Sequence, residues 1–321
     1  MTDKSQLPQR LLVAIGGNAT HPDTIEGTHL EQEEVAAEAA EALLPLGLNV
    51  EQLVVTHGNG PVVGKILMRQ ALSRHQVVPM PLEICVAHSQ GGIAYLLMQA
   101  MENALREADN DRHVAALLTQ VEVKEDDPAF LQPSKPIGPF FSEEEAREIE
   151  AELGWPMKED SGRGWRHVVP SPDPQHICDI SLVQALARRG TIVIAGGGGG
   201  IPVIRGAKGV RRGVPAVIDK DFTSALMANV LGIETLLILT AVEHVAVNFG
   251  TAQEKSLHDV TVAELRQYQA EGQFPEGSMG PKVEAALRFI EGGGKHAIIG
   301  DLNHAIPALE GQSGTHVRAT E

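Results

Sequence analysis

The sequence contains only two cysteines, Cys85 and Cys178, which lie far apart and outside any CxxC motif. A structural zinc site needs clustered thiolate or imidazole ligands, so this spacing argues against one. Sparse cysteine is also typical of proteins from a reducing compartment. The cysteine content therefore predicts a cytoplasmic protein without a structural zinc ion.

Aromatic residues are also scarce, at 3% of the chain, although hydrophobic residues make up 43%. The core must therefore consist of aliphatic side chains, which is typical of a parallel sheet covered by helices. No apolar run approaches the roughly 18 residues of a membrane helix, and residues 1–10 are too polar for a secretory signal. With 321 residues, we expect a large α/β unit or two lobes that share a crevice.

Basic residues are outnumbered by acidic ones, 26 to 42, which gives a formal net charge of -16. This charge repels nucleic acids and anionic membranes. A ligand that carries phosphate must therefore be attracted by positive charge concentrated in one place. The charge balance favours a small-molecule partner, with no nucleic acid and no membrane.

Glycine is used in a distinctive way. Each of three glycine-rich segments follows a run that is typical of a buried strand: Gly16-Gly17-Asn18, Gly58-Asn59-Gly60 and residues 196–200. Glycine lets backbone NH groups approach a phosphate, and a helix that begins just after the loop adds the positive end of its dipole. Two lysines, Lys220 and Lys282, lie in similarly constrained contexts, between aspartates and beside a proline. Together these features predict phosphoryl transfer, although each loop alone could be a tight strand-to-helix turn.

The loops do not fit the better-known phosphate motifs. The segment that ends at Gly64-Lys65 has Asn59 at the first position of a Walker motif and Ile66 at the last. Val63 stands where a dinucleotide fingerprint needs its third glycine. The sequence also has no HRD-like catalytic loop and no DFG triplet, which argues against a protein kinase.

Segments typical of strands and helices alternate along the chain, which predicts a parallel sheet wound with helices. The predicted helices cover residues 30–44 and about 89–107, and another begins after the loop at residues 58–61. The predicted strands cover residues 11–15, 53–56, 114–119, 191–195, 235–239 and 296–299.

Residues 125–174 interrupt this alternation with eight prolines and several acidic clusters. Both tryptophans, Trp155 and Trp165, lie in this segment and indicate a small packed core of its own. We predict an inserted subdomain that could serve as a lid over an active site, with a long disordered loop as the alternative.

Six segments of the chain, in this order, resemble carbamate kinase: residues 15–18, 56–61, 135–140, 168–172, 216–221 and 277–285. The resemblance spans about residues 11–317. It implies an amino-acid-kinase-type α/β fold, a three-layer α/β/α sandwich with a mainly parallel central sheet and two lobes. The N-terminal lobe, residues 1–205, would bind carbamate or carbamoyl phosphate and would contain the inserted lid. The C-terminal lobe, residues 206–321, would bind the nucleotide.

The resemblance also implies an activity, the reversible reaction of ATP with carbamate to give ADP and carbamoyl phosphate. In the family this reaction often runs toward ATP, in arginine or purine breakdown. The Mg²⁺ that accompanies the nucleotide would be held mainly by phosphate oxygens and water, and no dedicated metal ligands are evident in the sequence. The protein would be a homodimer.

The resemblance assigns roles to individual residues. Lys220 and Lys282 would neutralise the transferring group and the leaving oxygen, while Asp221 would hold both ammonium groups. Lys135 would reach over the substrate from the insert; a solvated surface charge is the alternative for each lysine. Substrate-binding positions would be Gly16, Gly17, Asn18, Gly58, Asn59 and Gly60. Nucleotide-binding positions would be Gly197, Gly198, Gly199, Asp219, Thr240, Gly277 and Met279.

The chain departs from the family pattern at three places. His88 replaces an expected methionine, His167 replaces an expected basic residue, and residues 251–252 lack an expected lysine-proline pair near the nucleotide side. These changes put affinity and rate in doubt more than the type of reaction. For His57, beside the second loop, we expect packing rather than catalysis.

Two other functions remain open from the sequence. Residues 87–91 resemble the strand-turn-helix elbow of serine hydrolases, with Ser89 as nucleophile and Asp301 and His304 as conceivable partners. That hypothesis leaves the glycine loops unexplained. The chain could instead be a regulator that binds nucleotide or carbamoyl phosphate, or a related kinase for another small acid.

Overall fold

The computed structural model describes residues 7–22, 24–160, 162–275 and 277–319, and the side chain of Asn18 lies outside the described part. The helices are α1 (His29–Asn49), α2 (Gly60–Ser73), α3 (Leu82–Glu107), α4 (Glu143–Leu153), α5 (Ile180–Ala187), α6 (Lys220–Leu231), α7 (Val262–Ala270), α8 (Met279–Glu291) and α9 (Ala305–Leu309). The strands are β1 (Arg10–Ile15), β2 (Gln52–His57), β3 (Val114–Ala116), β4 (Gln120–Val123), β5 (Lys135–Phe141), β6 (Met157–Glu159), β7 (Trp165–Val169), β8 (Pro174–Ile177), β9 (Ile192–Ile194), β10 (Ile201–Arg205), β11 (Arg211–Gly213), β12 (Thr235–Thr240), β13 (Val245–Val247), β14 (Lys255–Leu257), β15 (Asp259–Thr261), β16 (His296–Asp301) and β17 (Thr315–Arg318).

The centre of the fold is an eight-stranded sheet with the order β15-β17-β16-β12-β1-β2-β9-β3. Every neighbouring pair in it is parallel except β16 and β17. Side chains of β1 alternate between two aliphatic clusters, so that Leu11 faces one cluster and Leu12 the other. Helices α1, α3 and α9 pack into the first cluster and α5 to α8 into the second. The predicted three-layer α/β/α sandwich is confirmed.

Strand β1 joins the two halves of the chain at the middle of this sheet. Leu12 pairs with Leu236 of β12 on one side and with Val54 of β2 on the other. The substrate side and the nucleotide side proposed from the sequence therefore share one continuous sheet. The division into lobes at residues 205 and 206 stays a prediction.

All six predicted strands are present, although β3 ends at Ala116 rather than at residue 119, and two predicted helices begin or end elsewhere. Helix α1 continues to Asn49, and its last turns bury Leu46 and Gly47 against the core. A Cβ on Gly47 would lie 3.2 Å from Ile192, so glycine suits this close packing. Helix α3 begins at Leu82 rather than near residue 89, directly after Pro81. None of the described helices combines the length and apolar character needed to cross a membrane.

The insert is a folded subdomain, with an antiparallel sheet of order β5-β7-β6 and helix α4. A capping box of Ser142 and Glu145 begins α4. The ring of Trp155 stacks on His167 at 4.4 Å, and the guanidinium of Arg147 lies over the ring of Trp165. We call this unit the inserted subdomain. These contacts form the small core that the tryptophans predicted, rather than a disordered loop.

The inserted subdomain meets the rest of the molecule where two glycines touch. A Cβ on Gly64, in the first turns of α2, would lie 2.1 Å from the backbone of Gly138 in β5. Gly138 itself has φ of +76°, a conformation that L side chains rarely adopt. The two backbones therefore approach more closely than any side chain would permit. This contact fixes β5 beside the start of α2.

Candidate active site

A crevice of about 470 Å³ opens at the carboxyl ends of the central parallel strands. Gly16 follows β1, Gly58 follows β2, and Thr240 and Asp301 end β12 and β16. Parallel α/β sheets bind their ligands at this edge, because loops and helix starts converge there. The inserted subdomain supplies another wall, since Lys135 and Pro136 also line the crevice.

Lys220 and Lys282 converge on Asp221 in this crevice. The ammonium group of Lys220 donates to Asp221 Oδ1, and Lys282 Nζ lies 3.7 Å from Asp221 Oδ2. Lys282 Nζ also donates to the carbonyl of Ser278 at 3.1 Å. Both lysines line the crevice, although 61 positions separate them in the chain. One carboxylate thus holds two positive charges where a ligand would bind.

The start of α6 explains how Lys220 and Asp221 are placed. Asp219 caps this helix, because its Oδ1 accepts a hydrogen bond from the NH of Asp221 at 2.8 Å. Ser224 Oγ donates to the Lys220 carbonyl at 2.6 Å and meets the Thr56 hydroxyl at 2.7 Å. The first turn of α6 is therefore attached to β2, the strand that leads into the loop Gly58-Asn59-Gly60.

Lys135 connects the inserted subdomain to the same helix start. Its Nζ lies 2.6 Å from Asp219 Oδ2. Burial raises the pKa of Asp219, but the charge and hydrogen bond of Lys135 outweigh burial and hold this pKa at about 2. Asp219 is therefore ionised at neutral pH.

Lys220 is the most buried of the three lysines, with 8% of its surface exposed. Burial lowers the pKa of Lys220 from its ordinary value, the Asp221 charge opposes this effect, and the Lys282 charge adds to it. Desolvation makes the ammonium group costly unless an anion accompanies it. A second anion in the crevice would therefore be attracted strongly.

The glycine loops interlock beside these charges. A Cβ on Gly58 would lie 2.7 Å from the backbone nitrogen of Gly17, and one on Gly198 would lie 2.2 Å from Asn59 Nδ2. Asn59 Nδ2 donates to Ser89 Oγ at 2.9 Å, which fixes the amide. Of the predicted substrate-binding residues, these line the crevice: Gly16, Gly17, Gly58, Asn59 and Gly60.

The predicted nucleotide-binding residues divide into two groups. Gly198, Asp219, Thr240 and Gly277 line the crevice. The remaining three, Gly197, Gly199 and Met279, are not among its lining residues. A Cβ on Gly197 would lie 2.2 Å from His57 Nε2, and one on Gly199 would lie 2.3 Å from the Ile218 carbonyl oxygen. Met279 packs against the hydrophobic core. These three residues therefore pack behind the crevice wall and support it.

Several residues that line the crevice were not predicted from the sequence. Arg163 and Arg166 enter it from the inserted subdomain, and Asn303 enters it beside Asp301. The sequence offered one signal for the two arginines, since both flank Trp165 within the proposed lid. Nothing in the local sequence pattern marked Asn303.

The serine hydrolase hypothesis is wrong. Ser89 lies inside α3, is 1% exposed, and donates its hydroxyl to the Val86 carbonyl one turn earlier. The apolar residues taken for a strand form the first turns of this helix, so there is no strand-turn-helix elbow. Asp301 and His304 lie 3.9 Å apart at the end of β16, and neither hydrogen-bonds to Ser89.

None of the three departures from the family pattern is among the residues that line the crevice. His88 is exposed on α3, and residues 251–252 lie in an exposed turn between β13 and β14. His167 stacks on Trp155 in the inserted subdomain, and burial lowers its pKa to about 4. His167 therefore contributes a neutral ring to the subdomain core, instead of the positive charge that was expected there.

His57 is buried between Gly58 and Gly197, as expected for a packing residue. Its Nδ1 lies 3.0 Å from the Gly58 carbonyl, and its Nε2 has no hydrogen-bond partner among the described residues. Burial lowers the pKa of His57 to about 4, although the Gly58 bond opposes this shift; the Lys220 charge lowers it further. The ring is neutral at physiological pH.

This histidine should make the fold sensitive to acid. Above pH 6.5 neither state is protonated at His57, whereas between 6.5 and about 4 the unfolded chain binds a proton that the folded protein excludes. The free energy of unfolding should therefore fall by about 3 kcal/mol across this interval. Denaturant unfolding at a series of pH values should show a shallower dependence for His57→Gln than for the wild type. The exposed control His88→Gln should keep the wild-type slope, and parallel slopes for all three proteins would contradict this assignment.

Comparisons with known proteins agree with these observations. Residues 9–301 match the amino acid kinase family. The carbamate kinase of Pyrococcus horikoshii is 44% identical over 313 residues, which cover 97% of this chain and 99% of that protein. Two solved structures of carbamate kinase from Giardia lamblia are each 36% identical and cover 99% of this chain and 100% of theirs. The one bound to citric acid has a TM-score of 0.93, and the one bound to AMP-PNP has a TM-score of 0.87.

Proposed function

The chain belongs to the amino acid kinase family, among the carbamate kinases, and on that basis we propose that its crevice transfers a phosphoryl group between ATP and carbamate. The observation that carries this proposal is the convergence of Lys220 and Lys282 on Asp221, beside the interlocked glycine loops. The products in this direction are ADP and carbamoyl phosphate. The enzyme is a phosphotransferase.

The reaction needs charge placed correctly rather than a covalent nucleophile. A carbamate oxygen forms a bond to the γ-phosphorus while the bond from that phosphorus to the ADP oxygen breaks. Negative charge then spreads over the oxygens of the transferring phosphoryl group. Lys220 and Lys282 would stabilise the transferring group and the leaving oxygen. Asp221 keeps both ammonium groups in place before the substrate arrives, so little reorganisation is needed during transfer.

The two sides of the crevice would hold the two substrates. Backbone NH groups of the Gly16 and Gly58 loops, with the Asn59 amide, would align carbamate or carbamoyl phosphate. Gly198, Thr240 and Gly277 would contact the nucleotide, and Lys135 would reach over the reacting groups. The role of Asn18 stays a prediction, because its side chain lies outside the described residues.

Magnesium would accompany the nucleotide. Among the described residues, no group of three or more His, Cys, Asp or Glu is arranged to hold a metal ion. Of the three crevice carboxylates, Asp219 and Asp221 are already engaged by lysines, and Asp301 Oδ1 accepts the NH of Asn303. This donor set fits an ion held mainly by phosphate oxygens and water. When bound, Mg²⁺ would supply further charge neutralisation at the phosphates.

We also propose a homodimer in the cytoplasm, with a physiological direction toward ATP in arginine or purine catabolism. Exposed apolar side chains support a self-association surface; Leu72 and Val78 are 74% and 87% exposed. The two cysteines are buried and unpaired, which is consistent with a reducing compartment. The direction of the reaction is expected from the family resemblance.

A coupled assay tests the proposed activity. With carbamoyl phosphate, ADP and Mg²⁺, the protein should form ATP in equal amount to the carbamoyl phosphate consumed above the protein-free background, and omission of ADP should reduce consumption to that background. Acetyl phosphate is the matched control, because it presents a phosphoryl group on a different small acid. Faster transfer from acetyl phosphate would indicate another small-acid kinase, and binding of ADP without any transfer would indicate a regulator.

A further inference from the structure

Two arginines of the inserted subdomain line the same crevice as the lysines. Arg163 precedes β7 and Arg166 lies within it. Their guanidinium carbons lie 4.8 and 5.0 Å from the centre of the Phe140 ring. A guanidinium group can stack on an aromatic ring while its in-plane NH groups still donate hydrogen bonds. The ring thus forms a support on which both cations are placed.

A buried carboxylate holds these two cations together. Asp160 is 6% exposed, and its Oδ2 lies 3.2 Å from Arg163 Nη2 and 3.3 Å from Arg166 Nη1. Arg166 Nε donates in addition to the Gly138 carbonyl at 3.1 Å. The three charged groups carry a net charge of +1. This arrangement repeats the one at Asp221, where one carboxylate also holds two cations.

The carboxylate that joins the arginine pair adjoins the side of the crevice proposed for the nucleotide. A Cβ on Gly277 would lie 3.4 Å from Asp160 Oδ1, so Asp160 adjoins the turn that leads to Lys282, and both arginines line the same crevice as Gly277. Lys135, on the neighbouring strand β5, reaches Asp219 at the start of α6. The inserted subdomain therefore contributes three cations to the wall of one crevice.

We propose that Arg163 and Arg166 bind phosphate oxygens of the substrate, and that Asp160 is the positioning residue for both. This inference rests on the proposed function, which supplies the phosphorylated ligands ADP and carbamoyl phosphate. A guanidinium matches the geometry of two phosphate oxygens better than an ammonium group does. Because the whole chain carries a charge of -16, cations gathered at the crevice are needed to attract an anionic substrate.

The test compares Arg163→Met and Arg166→Met with the wild type in the ATP-forming direction. Each variant should raise KM for ADP or carbamoyl phosphate roughly 10- to 100-fold, the range expected when a hydrogen bond to a charged group is lost. The value of kcat should change much less. Arg166→Lys should recover only part of the affinity, because an ammonium group lacks the paired donors. Asp160→Asn should raise the same KM as the arginine variants.

Arg147→Met is the matched control. Arg147 also lies over an aromatic ring of the inserted subdomain, Trp165, but it pairs with Glu143 and Glu150 outside the crevice. The Arg147→Met variant should keep the wild-type KM values for ADP and carbamoyl phosphate. Because both tryptophans lie in this subdomain, titration of their fluorescence with ADP gives a readout of binding that does not depend on turnover.

Two results would overturn the proposal. One is a pair of folded methionine variants whose KM values and ADP titrations match those of the wild type. The other is a loss of activity that follows the loss of thermal stability, with unchanged KM and full recovery by Arg166→Lys, since this pattern indicates support of the fold alone. If the wild type transferred no phosphoryl group from carbamoyl phosphate, the proposed function would fail, while the ADP titration would still decide whether the arginines bind phosphate.

Discussion

Replacement of Lys220 or Lys282 by alanine should reduce kcat by on the order of 100-fold or more, because each change removes a positive charge fixed in place before the reaction. Lys220 is 8% exposed, so solvent cannot readily substitute for its ammonium group. Loss of Lys282 removes the cation at Asp221 Oδ2 but leaves Lys220 at Oδ1. Initial rates of ATP formation from carbamoyl phosphate and ADP would measure both effects.

The double variant Lys220→Ala with Lys282→Ala tests whether the two lysines act together through Asp221. Since both lysines contact Asp221, their effects should not multiply, and the loss in the double variant should be smaller than the product of the single losses. Lys295→Ala is the control, because Lys295 forms an exposed pair with Glu234 and such pairs contribute little. Single variants that fold normally yet lose only two- or threefold in kcat would contradict the roles assigned to these lysines.

Gly64→Ala should have the second large effect. The new methyl group would lie 2.1 Å from the Gly138 backbone, so β5 must move away from α2. This strand begins with Lys135, and a displacement of about 1 Å at a catalytic group can cost on the order of 100-fold in rate. We expect such a loss in kcat/KM, together with a decrease of about 1–3 kcal/mol in the free energy of unfolding.

Gly92→Ala is the matched control for this change. Gly92 also lies within a helix, α3, but a Cβ there would meet nothing within 4 Å. Alanine should therefore raise stability by about 0.5–1 kcal/mol through its helix propensity and should leave activity unchanged. Thermal unfolding and kcat/KM should be measured on both variants. Equal behaviour of the two proteins would show that the contact between Gly64 and Gly138 does not fix the inserted subdomain.

The sheet was predictable because its strands are short aliphatic runs that end in turn-forming residues. In β1, for example, every residue from Leu11 to Ile15 is buried, and this continuous pattern is typical of a parallel sheet with both faces covered. The start of α3 was harder to predict. Ile84, Cys85 and Val86 form an apolar run that suits a strand or a buried helix equally well, and tertiary packing decides between them.

The candidate site was predictable where function depends on local chemistry and not where it depends on long-range contacts. Lys220 and Lys282 were identified because their neighbours constrain the backbone around them. Arg163 and Arg166 were missed because their place in the crevice wall depends on how the inserted subdomain docks. The packing role of Gly197 could not be predicted either, because it depends on contact with the ring of His57, which lies far away in the sequence.

The carboxylate of Asp219 serves two structures at once, one with each oxygen. Its Oδ1 caps α6 through the NH of Asp221, while its Oδ2 accepts the ammonium group of Lys135. The two tasks are therefore separable: withdrawal of Lys135 would expose Oδ2 to the crevice without uncapping the helix. Loss of the Lys135 contact would leave the Asp221 NH bound to Oδ1, so the placement of Lys220 in the first turn of α6 does not depend on the inserted subdomain.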